Sequence, residues 1–479
     1  MPRKEATKKK PQRSLKGMED IMDPEYSAYQ GFFEKASEIA QYYGFKPIEL
    51  PILEKEELFQ ASIGEGTDIL DKEMYSLKTK GGYHLAMRPE GATGVMRAYI
   101  EHNMQSLPQP VMLYHYGPFF RHEKPKKGRS REFRQFSLDI LGTSKSVADA
   151  TIIKVFLTIL EEAGFKNLRV KINSIGDTES RKIYIKELIS YYKKQLEFVC
   201  ADCRQRIKTN PLRLLDCKNE KCQPIKEGAP DAISFLNTLS KKHFKEVLEY
   251  LDAMNVIYEI DNKLVRGLNY YTQTVFEIID VTESDKKNSL EDEEVKEEKV
   301  EKIKEEEGEE EEEKGKEEGK EEVEKVKEKE KVEEPLELAG GGRYDLLAKQ
   351  LKHKKEVPSV GASMGVDRII KADSHRLISP RIQRKAKVFF IQLGFEAKLK
   401  SLTVIEILRK SRIPIMHSLT KDRLSAQLAV SEKLRIPYTI ILGQREALDN
   451  TVIVRNMKTR SQETMSIEKL PDYIKKKLK

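Results

Sequence analysis

Between residues 283 and 334 the chain carries 26 acidic residues and 13 lysines. Such a run cannot bury a core, because too little apolar surface is present to offset the entropy of ordering it. The tract from 282 to 335 therefore reads as disordered or as a loose charged helix. It interrupts a domain rather than joining two, since strand and glycine signals precede it and resume at Leu338. We read it as a lineage-specific insertion without a catalytic role. Its net charge is −13 and the whole chain is +8, which leaves +21 on the remainder. A body that basic suits a polyanionic partner such as nucleic acid, although a merely soluble surface would look similar. At 479 residues the chain is too long for one core, so two or three domains are expected.

Residues 1–14 are basic with no apolar stretch after them, which excludes a secretory signal. They read as a flexible arm, either touching nucleic acid or simply solvated. No apolar run reaches the ~18 residues of a transmembrane helix, so no membrane partner is expected. The expected compartment is the cytoplasm, where the four cysteines would stay reduced.

The periodicity divides the chain further. Tyr29, Phe32, Phe33, Ala36, Ile39, Ala40 and Tyr43 recur at helical spacing, and Gly44 ends that helix. The proline-flanked segment 47–52 reads as a strand near an edge or interface, because proline cannot donate to a ladder. Strands are expected at 111–116 and 133–141. In the second, Phe136, Leu138 and Ile140 share one face, while Phe133, Gln135, Ser137 and Asp139 share the other. The polar face could line a binding site or simply be wet. Residues 178–254 read as mainly helical, followed by strands at 256–259 and 274–279. From 385 onward strands and helices alternate, which implies a small separate α/β domain with a largely parallel sheet.

The segment GPFFRHEKPKKGRSREFRQF at 117–136 joins two of these strands through a basic loop. An arginine at the end of a strand, Arg121, can grip a phosphate with two parallel hydrogen bonds. Phe133 on the next strand can stack on a flat base. Lys124, Lys126, Lys127, Arg129 and Arg131 suit a nucleic-acid backbone.

This segment resembles motif 2 of class II aminoacyl-tRNA synthetases. MRPEG at 87–91 resembles the amino-acid-binding segment of several of them. LVRGLNYY at 264–271 and GGGRYD at 340–345 resemble two motifs specific to histidyl-tRNA synthetases, and VGASMGVDR at 360–368 resembles motif 3. Residues 427–443 are similar to their anticodon-binding domain. Any one motif alone is weak, but five in order are specific. The implied architecture is an α+β catalytic domain with an antiparallel sheet (15–175 and 255–378), a helical insertion holding all four cysteines (176–254), and a C-terminal α/β anticodon-binding domain (385–479). A homodimer is implied, with the 47–51 region near its interface.

The resemblance also implies roles. Glu90, Gly91, Ala92, Gln135, Asp139, Arg266, Tyr270 and Tyr271 would bind L-histidine. Glu90, Gln135 and Asp139 would accept from its cationic α-amino group, and the two tyrosines would border its imidazole. Arg121, Glu123, Arg129, Phe133 and Arg368 would bind ATP, which brings Mg2+ with it. Arg121, Arg266 and Arg368 would be catalytic, neutralising phosphate charge. The expected activity is ATP-dependent activation of histidine and its transfer to tRNA(His). This chain departs from the family pattern at Ala92, where Thr is usual, at Asp139 and Asp367, where Glu is usual, and at Asn269, where Asp is usual. Two rival readings are a catalytically inactive regulatory or tRNA-sensing relative, and a class II synthetase for threonine, proline or glycine. The Arg266 motif and the retained arginines argue against both.

Cys200-x2-Cys203 and Cys217-x4-Cys222 are two close pairs in a reduced chain. They fit a structural Zn2+ site that holds the insertion away from the chemistry, or four inert thiols in a helical segment.

Overall fold

The computed structural model describes residues 13–64, 66–125, 128–281, 336–372, 378–381, 386–418 and 423–478. The Lys/Glu-rich tract at 282–335, most of the basic N-terminal arm, and Lys126 and Lys127 lie outside the described residues. The chain forms two compact units, residues 1–380 and 381–479.

The first unit is built on an eight-stranded sheet. Its order is β1 (Lys46–Pro47), β5 (Val111–Phe120), β6 (Glu132–Leu141), β11 (Ser359–Gly365), β10 (Leu336–Arg343), β9 (Thr272–Asp280), β7 (Leu168–Ser174), β8 (Tyr258–Ile260). The six central strands run antiparallel, and β1 and β8 pair parallel at the two edges. Proline at 47 thus lies in a two-residue edge strand, as its missing N–H requires. Strands β2 (Leu53–Lys55), β3 (Ser76–Lys78) and β4 (His84–Met87) form a separate small sheet. Helix α2 (Glu56–Ile63) packs Phe59 and Ile63 with Ala86 of that sheet.

One face of the large sheet is closed by two helices, α1 (Glu25–Tyr42) and α4 (Val147–Glu162). Phe136, Leu138 and Ile140 of β6 join Phe32, Ala36, Ile153, Phe156 and Leu160 in one core. Each large side chain fully buried there contributes ~1.5–3 kcal/mol. The expected alternation of β6 is therefore the core-versus-site division of the sheet itself. Residues between β7 and β8 form helices α5 (Thr178–Lys193), α6 (Ala201–Thr209), α7 (Gln223–Glu227) and α8 (Thr238–Ala253). This run is the crossover that a parallel β7–β8 pair needs. Its last helix packs Phe244, Val247 and Leu251 into the same core as α4.

Arg343, at the end of β10, is 1% exposed. Its Nε and Nη2 reach Asp149 at 2.9 and 2.8 Å, and it also donates to the Thr143 and Lys145 carbonyls and to Asp345 Oδ1. The arginine of the GGGRYD motif is thus a structural tie between β10 and the start of α4. A buried pair is strongly destabilising to break, because the remaining charge is left without a partner.

In the second unit, β13 (Ile415–His417), β12 (Val388–Gln392) and β14 (Tyr438–Leu442) are parallel as expected. The next two, β15 (Thr451–Asn456) and β16 (Gln462–Ser466), run antiparallel, so the sheet is mixed rather than largely parallel. The link from β14 to β15 is too short for a parallel crossover of a dozen residues or more. The β16 segment is mostly exposed and polar, which hid it from a periodicity reading. Among the described residues no helix is long and apolar enough to cross a membrane.

Leu336 pairs with Asp280, so the tract at 282–335 occupies the connection of a β9–β10 hairpin whose register is held by the strands. Replacing 282–335 by a short turn is expected to leave the melting temperature within about 4 °C. Histidine-dependent ATP–pyrophosphate exchange should stay within about tenfold. A larger loss in either measurement contradicts the reading of the tract as a dispensable insertion.

Candidate active site

The polar face of the large sheet opens into a cavity of about 1030 Å³. Every site residue expected from the motifs borders it except Gly91. Phe133, Gln135 and Asp139 come from β6. Arg121 lies at the end of β5, with Glu123 and Arg129 on the loop that follows. Arg266, Tyr270 and Tyr271 come from the segment before β9, and Arg368 from the short helix Val366–Ile370 after β11. Ser137 shares the polar face of β6 but binds Ser363 across the strands at 2.7 Å, and is not part of the wall.

Glu90 sits just before helix α3 (Ala92–Glu101) and accepts from the amides of Ala92 (2.7 Å) and Thr93 (3.1 Å). Those first-turn amides have no partner inside the helix, and the helix dipole favours an anion there. The Tyr270 hydroxyl donates to the same carboxylate at 3.1 Å. Burial nevertheless raises the Glu90 carboxyl above its ordinary range. The Thr93 hydroxyl lies 2.9 Å from Ser62 Oγ and also interacts with the Glu90 carboxylate, opposing the effect of burial on it.

Asp139 lies at the centre of the sheet, 3% exposed. The Tyr344 hydroxyl donates to its Oδ1, while Oδ2 has no hydrogen-bond partner. Burial pushes its carboxyl up to about 7, helped by the charge of Glu90 and opposed by Tyr344. His115 on β5 places Nε2 3.7 Å from Oδ2, and neither ring nitrogen is bonded. Burial, and next the charge of Arg88, hold this imidazole down at about 3, so it is neutral. Glycine is required opposite: a Cβ at Gly361 would lie 2.2 Å from Asp139 Oδ1, and one at Gly91 2.3 Å from His115 Cε1. Gly91 therefore serves the site by giving room, without touching the cavity.

The cationic side is a network. Arg266 Nη1 lies 2.5 Å from Glu277 and 3.0 Å from Glu337, and Glu337 also pairs with Arg368 at 3.3 Å. Burial works against the charge of Arg266, but Glu337 and Glu277 outweigh it and hold the guanidinium firmly protonated. Burial would also raise Glu337, yet Arg266 and Arg368 hold it down at about 2. Arg121 is aimed by its Nε bond to the Pro89 carbonyl (2.9 Å) and lies over the Phe133 ring. Arg129 reaches Glu123 at 3.5 Å. Asp367 holds the start of the Arg368 helix by accepting from Tyr29 and from the Arg134 amide. Arg88 of the MRPEG segment is a strut, donating to the Leu50 and Pro118 carbonyls at 2.8 Å.

Tyr344, His115, Glu277 and Glu337 escaped the sequence reading. Tyr344 stood inside a motif already noted, but His115 stands in an apolar strand and the two glutamates had no pattern around them. The four cysteine sulfurs lie within 4.8 Å of one another. Cys217 borders the cavity together with Arg213, Asp216 and Lys218, so the cluster is not remote from the chemistry as expected.

Known proteins bear on this geometry directly. The family model described as histidyl-tRNA synthetase matches residues 17–178, and the one described as anticodon binding domain matches 387–477. The histidine–tRNA ligase of Caldicellulosiruptor saccharolyticus is 35% identical over 97% of this chain and 99% of its own length. The chain belongs to the histidyl-tRNA synthetase family. The histidine–tRNA ligase of Desulforamulus reducens is 32% identical over 96% of this chain and 98% of that protein. The apo histidyl-tRNA synthetase of S. aureus superposes with a TM-score of 0.71 at 27% identity, covering 97% of this chain and 99% of that one. In this member of the family the β6 wall and the arginine network border one continuous cavity.

A raised carboxyl makes a signed prediction. Unfolded, Asp139 ionises near its ordinary pKa of about 4. Folded, it stays protonated up to about 7. Burying its charge therefore costs stability progressively between those values, and the full cost is present above 7. Asp139→Asn should leave stability nearly unchanged at pH 4 and raise it by ~2–4 kcal/mol at pH 8, read from denaturant unfolding of the ligand-free protein. An Asn variant equally or less stable at pH 8 would contradict the assignment.

Proposed function

We infer that this chain activates L-histidine with ATP to histidyl-adenylate and transfers the histidyl group to tRNA(His), releasing pyrophosphate and AMP. The observation that carries the reading is the pairing within one cavity of buried carboxylates, Glu90 and Asp139, with three guanidinium groups, Arg121, Arg266 and Arg368. One end suits an ammonium group and the other a triphosphate.

In this reading Glu90, Gln135 and Asp139 accept from the α-ammonium group, and Tyr270 and Tyr271 border the imidazole. The Gln135 carbonyl oxygen and Asp139 Oδ2 are buried and unbonded, as acceptors awaiting a donor would be. The histidine carboxylate oxygen attacks the α-phosphorus in line, the bond to the β-phosphate oxygen breaks, and pyrophosphate leaves. Arg121 and Arg266 neutralise the charge that builds on the α-phosphate, and Arg368 holds the γ-phosphate. Glu123, Arg129 and Phe133 place the adenosine. Preorganised charge of this kind needs no reorganisation during the reaction. Mg2+ accompanying ATP would neutralise phosphate charge, and the carboxylate oxygens of Glu123 and Glu337, which border the cavity, are donors of the hard type that would hold it. In the second step the terminal ribose hydroxyl of the tRNA attacks the carbonyl, AMP leaves, and a phosphate oxygen takes the proton.

The partners follow from this reading. The second unit, 381–479, takes the anticodon. Two copies pair through the surface near β1, where Ile52 and Leu53 are exposed. In this reading the protein acts in the cytoplasm. A Zn2+ ion at the four cysteines belongs with this reading as a structural ion, outside both chemical steps.

Arg266→Ala should stay folded by circular dichroism and slow adenylate formation by ~10²-fold or more in single turnover. It should lower charging of tRNA(His) with labelled histidine in parallel. An unchanged rate would remove Arg266 from the mechanism, and wild-type protein that charges no tRNA(His) would remove the function.

A further inference from the structure

We propose that Cys200, Cys203, Cys217 and Cys222 bind one Zn2+ ion, and that this ion sets the position of the loop carrying Arg266, Tyr270 and Tyr271. The sequence spacing left inert thiols open; the arrangement of the four side chains does not favour them. Cys200 stands at the N-terminal end of α6 and Cys203 one turn inside it, Cys217 follows a 3-10 turn, and Cys222 ends another. The sulfurs of Cys200 and Cys217 are 3.9 Å apart, as are those of Cys203 and Cys222, and all four lie within 4.8 Å. Zinc–sulfur bonds of about 2.3 Å in a tetrahedron set sulfurs roughly 3.8 Å apart. Neither pair is within bonding distance of a disulfide, and all four thiols are free.

The surroundings fit a cluster of thiolates on a cation. The Cys200 amide donates to Cys222 Sγ at 3.2 Å. The buried Tyr192 hydroxyl has no hydrogen-bond partner and lies within electrostatic reach of Cys203, Cys217 and Cys222. Donors of this kind orient metal ligands and stabilise their charge. Val199, Leu212 and Ile225 belong to the same buried apolar cluster as Cys203, Cys217 and Cys222.

The positioning role follows from what lies between the ligands. The chain from Cys203 to Cys217 carries Asn210 and Arg213. The Asn210 side chain donates to the Asn269 side chain at 2.6 Å, and Arg213 Nη2 binds Asp68 at 2.5 Å. A Cβ at Gly267 would lie 3.6 Å from Arg213, so this arm packs directly on the residue after Arg266. Cys217 itself borders the cavity. Metal held at both ends of the arm fixes the wall against which the 264–271 loop rests. Asn269 stands where the family pattern has Asp, and an amide is the partner that Asn210 can meet without burying a charge.

Elemental analysis of the full chain, purified under reducing conditions without chelator, should give one zinc per chain. Co2+ in its place should give the intense visible absorption of tetrahedral thiolate coordination. Well under one zinc per chain with no cobalt spectrum overturns the site. Cys217→Ser should lose the zinc and raise the KM for histidine about tenfold or more in pyrophosphate exchange with a smaller change in kcat. Asn210→Ala keeps all four ligands. It should retain the zinc and raise the same KM about three- to tenfold, as loss of one buried hydrogen bond implies. An unchanged KM in the Asn210 variant overturns the positioning role even where the Cys217 variant does not fold. That second half rests on the synthetase reading: zinc-loaded wild type without exchange would overturn that reading and leave the metal site standing.

Discussion

The burial of Asp139 in the middle of the antiparallel sheet is the constraint around which the catalytic unit is arranged. A carboxylate at that depth costs several kcal/mol unless donors surround it. Tyr344 supplies one donor, Gly361 leaves room for the carboxylate, and one oxygen stays without a partner. The cost is offset on the opposite face of the same strand, where Phe136, Leu138 and Ile140 anchor the core against α4. Period-two alternation along β6 thus joins stabilising core residues and a costly buried carboxyl in one element. On the proposed reading, a bound ammonium group would satisfy the oxygen that folding leaves without a partner.

The second charged assembly works the other way. Arg266, Glu277, Glu337 and Arg368 satisfy one another before any ligand arrives. Glu337 keeps two guanidinium groups in place without leaving them bare, and on the proposed mechanism a triphosphate reaching them would compete with it for both. Glu337 is the second residue of β10, directly after the Lys/Glu-rich tract. The hairpin register therefore sets where Glu337 stands beside the two arginines.

Much of the fold and the site is legible in the sequence because the family's motifs coincide with local patterns. The alternation along β6 is enough by itself to put Gln135 and Asp139 on one face. The helix at 25–42 and the first four strands of the second unit follow from apolar spacing. What is not legible depends on contacts between distant segments. His115 reads as a core residue in an apolar strand, and only its neighbours across β6 show that it faces Asp139. Glu337 adjoins a charge run that hides any single glutamate. Arg88 and Arg343 sit in motifs that suggest ligand binding, yet the fold uses both as struts to backbone carbonyls and Asp149. The cysteine spacing suggests a site remote from the chemistry, because spacing carries no information about which wall a loop completes.

The most direct measurement is amino-acid-dependent ATP–pyrophosphate exchange, run separately with histidine, threonine, proline, glycine and no amino acid. The buried carboxylates and the tyrosine-lined end predict exchange with histidine alone, with discrimination of ~10⁴-fold or more for a pocket that binds polar groups. Exchange with another amino acid would contradict the pocket assignment while keeping the arginine chemistry. No exchange with any of them, from folded protein, would contradict the account as a whole.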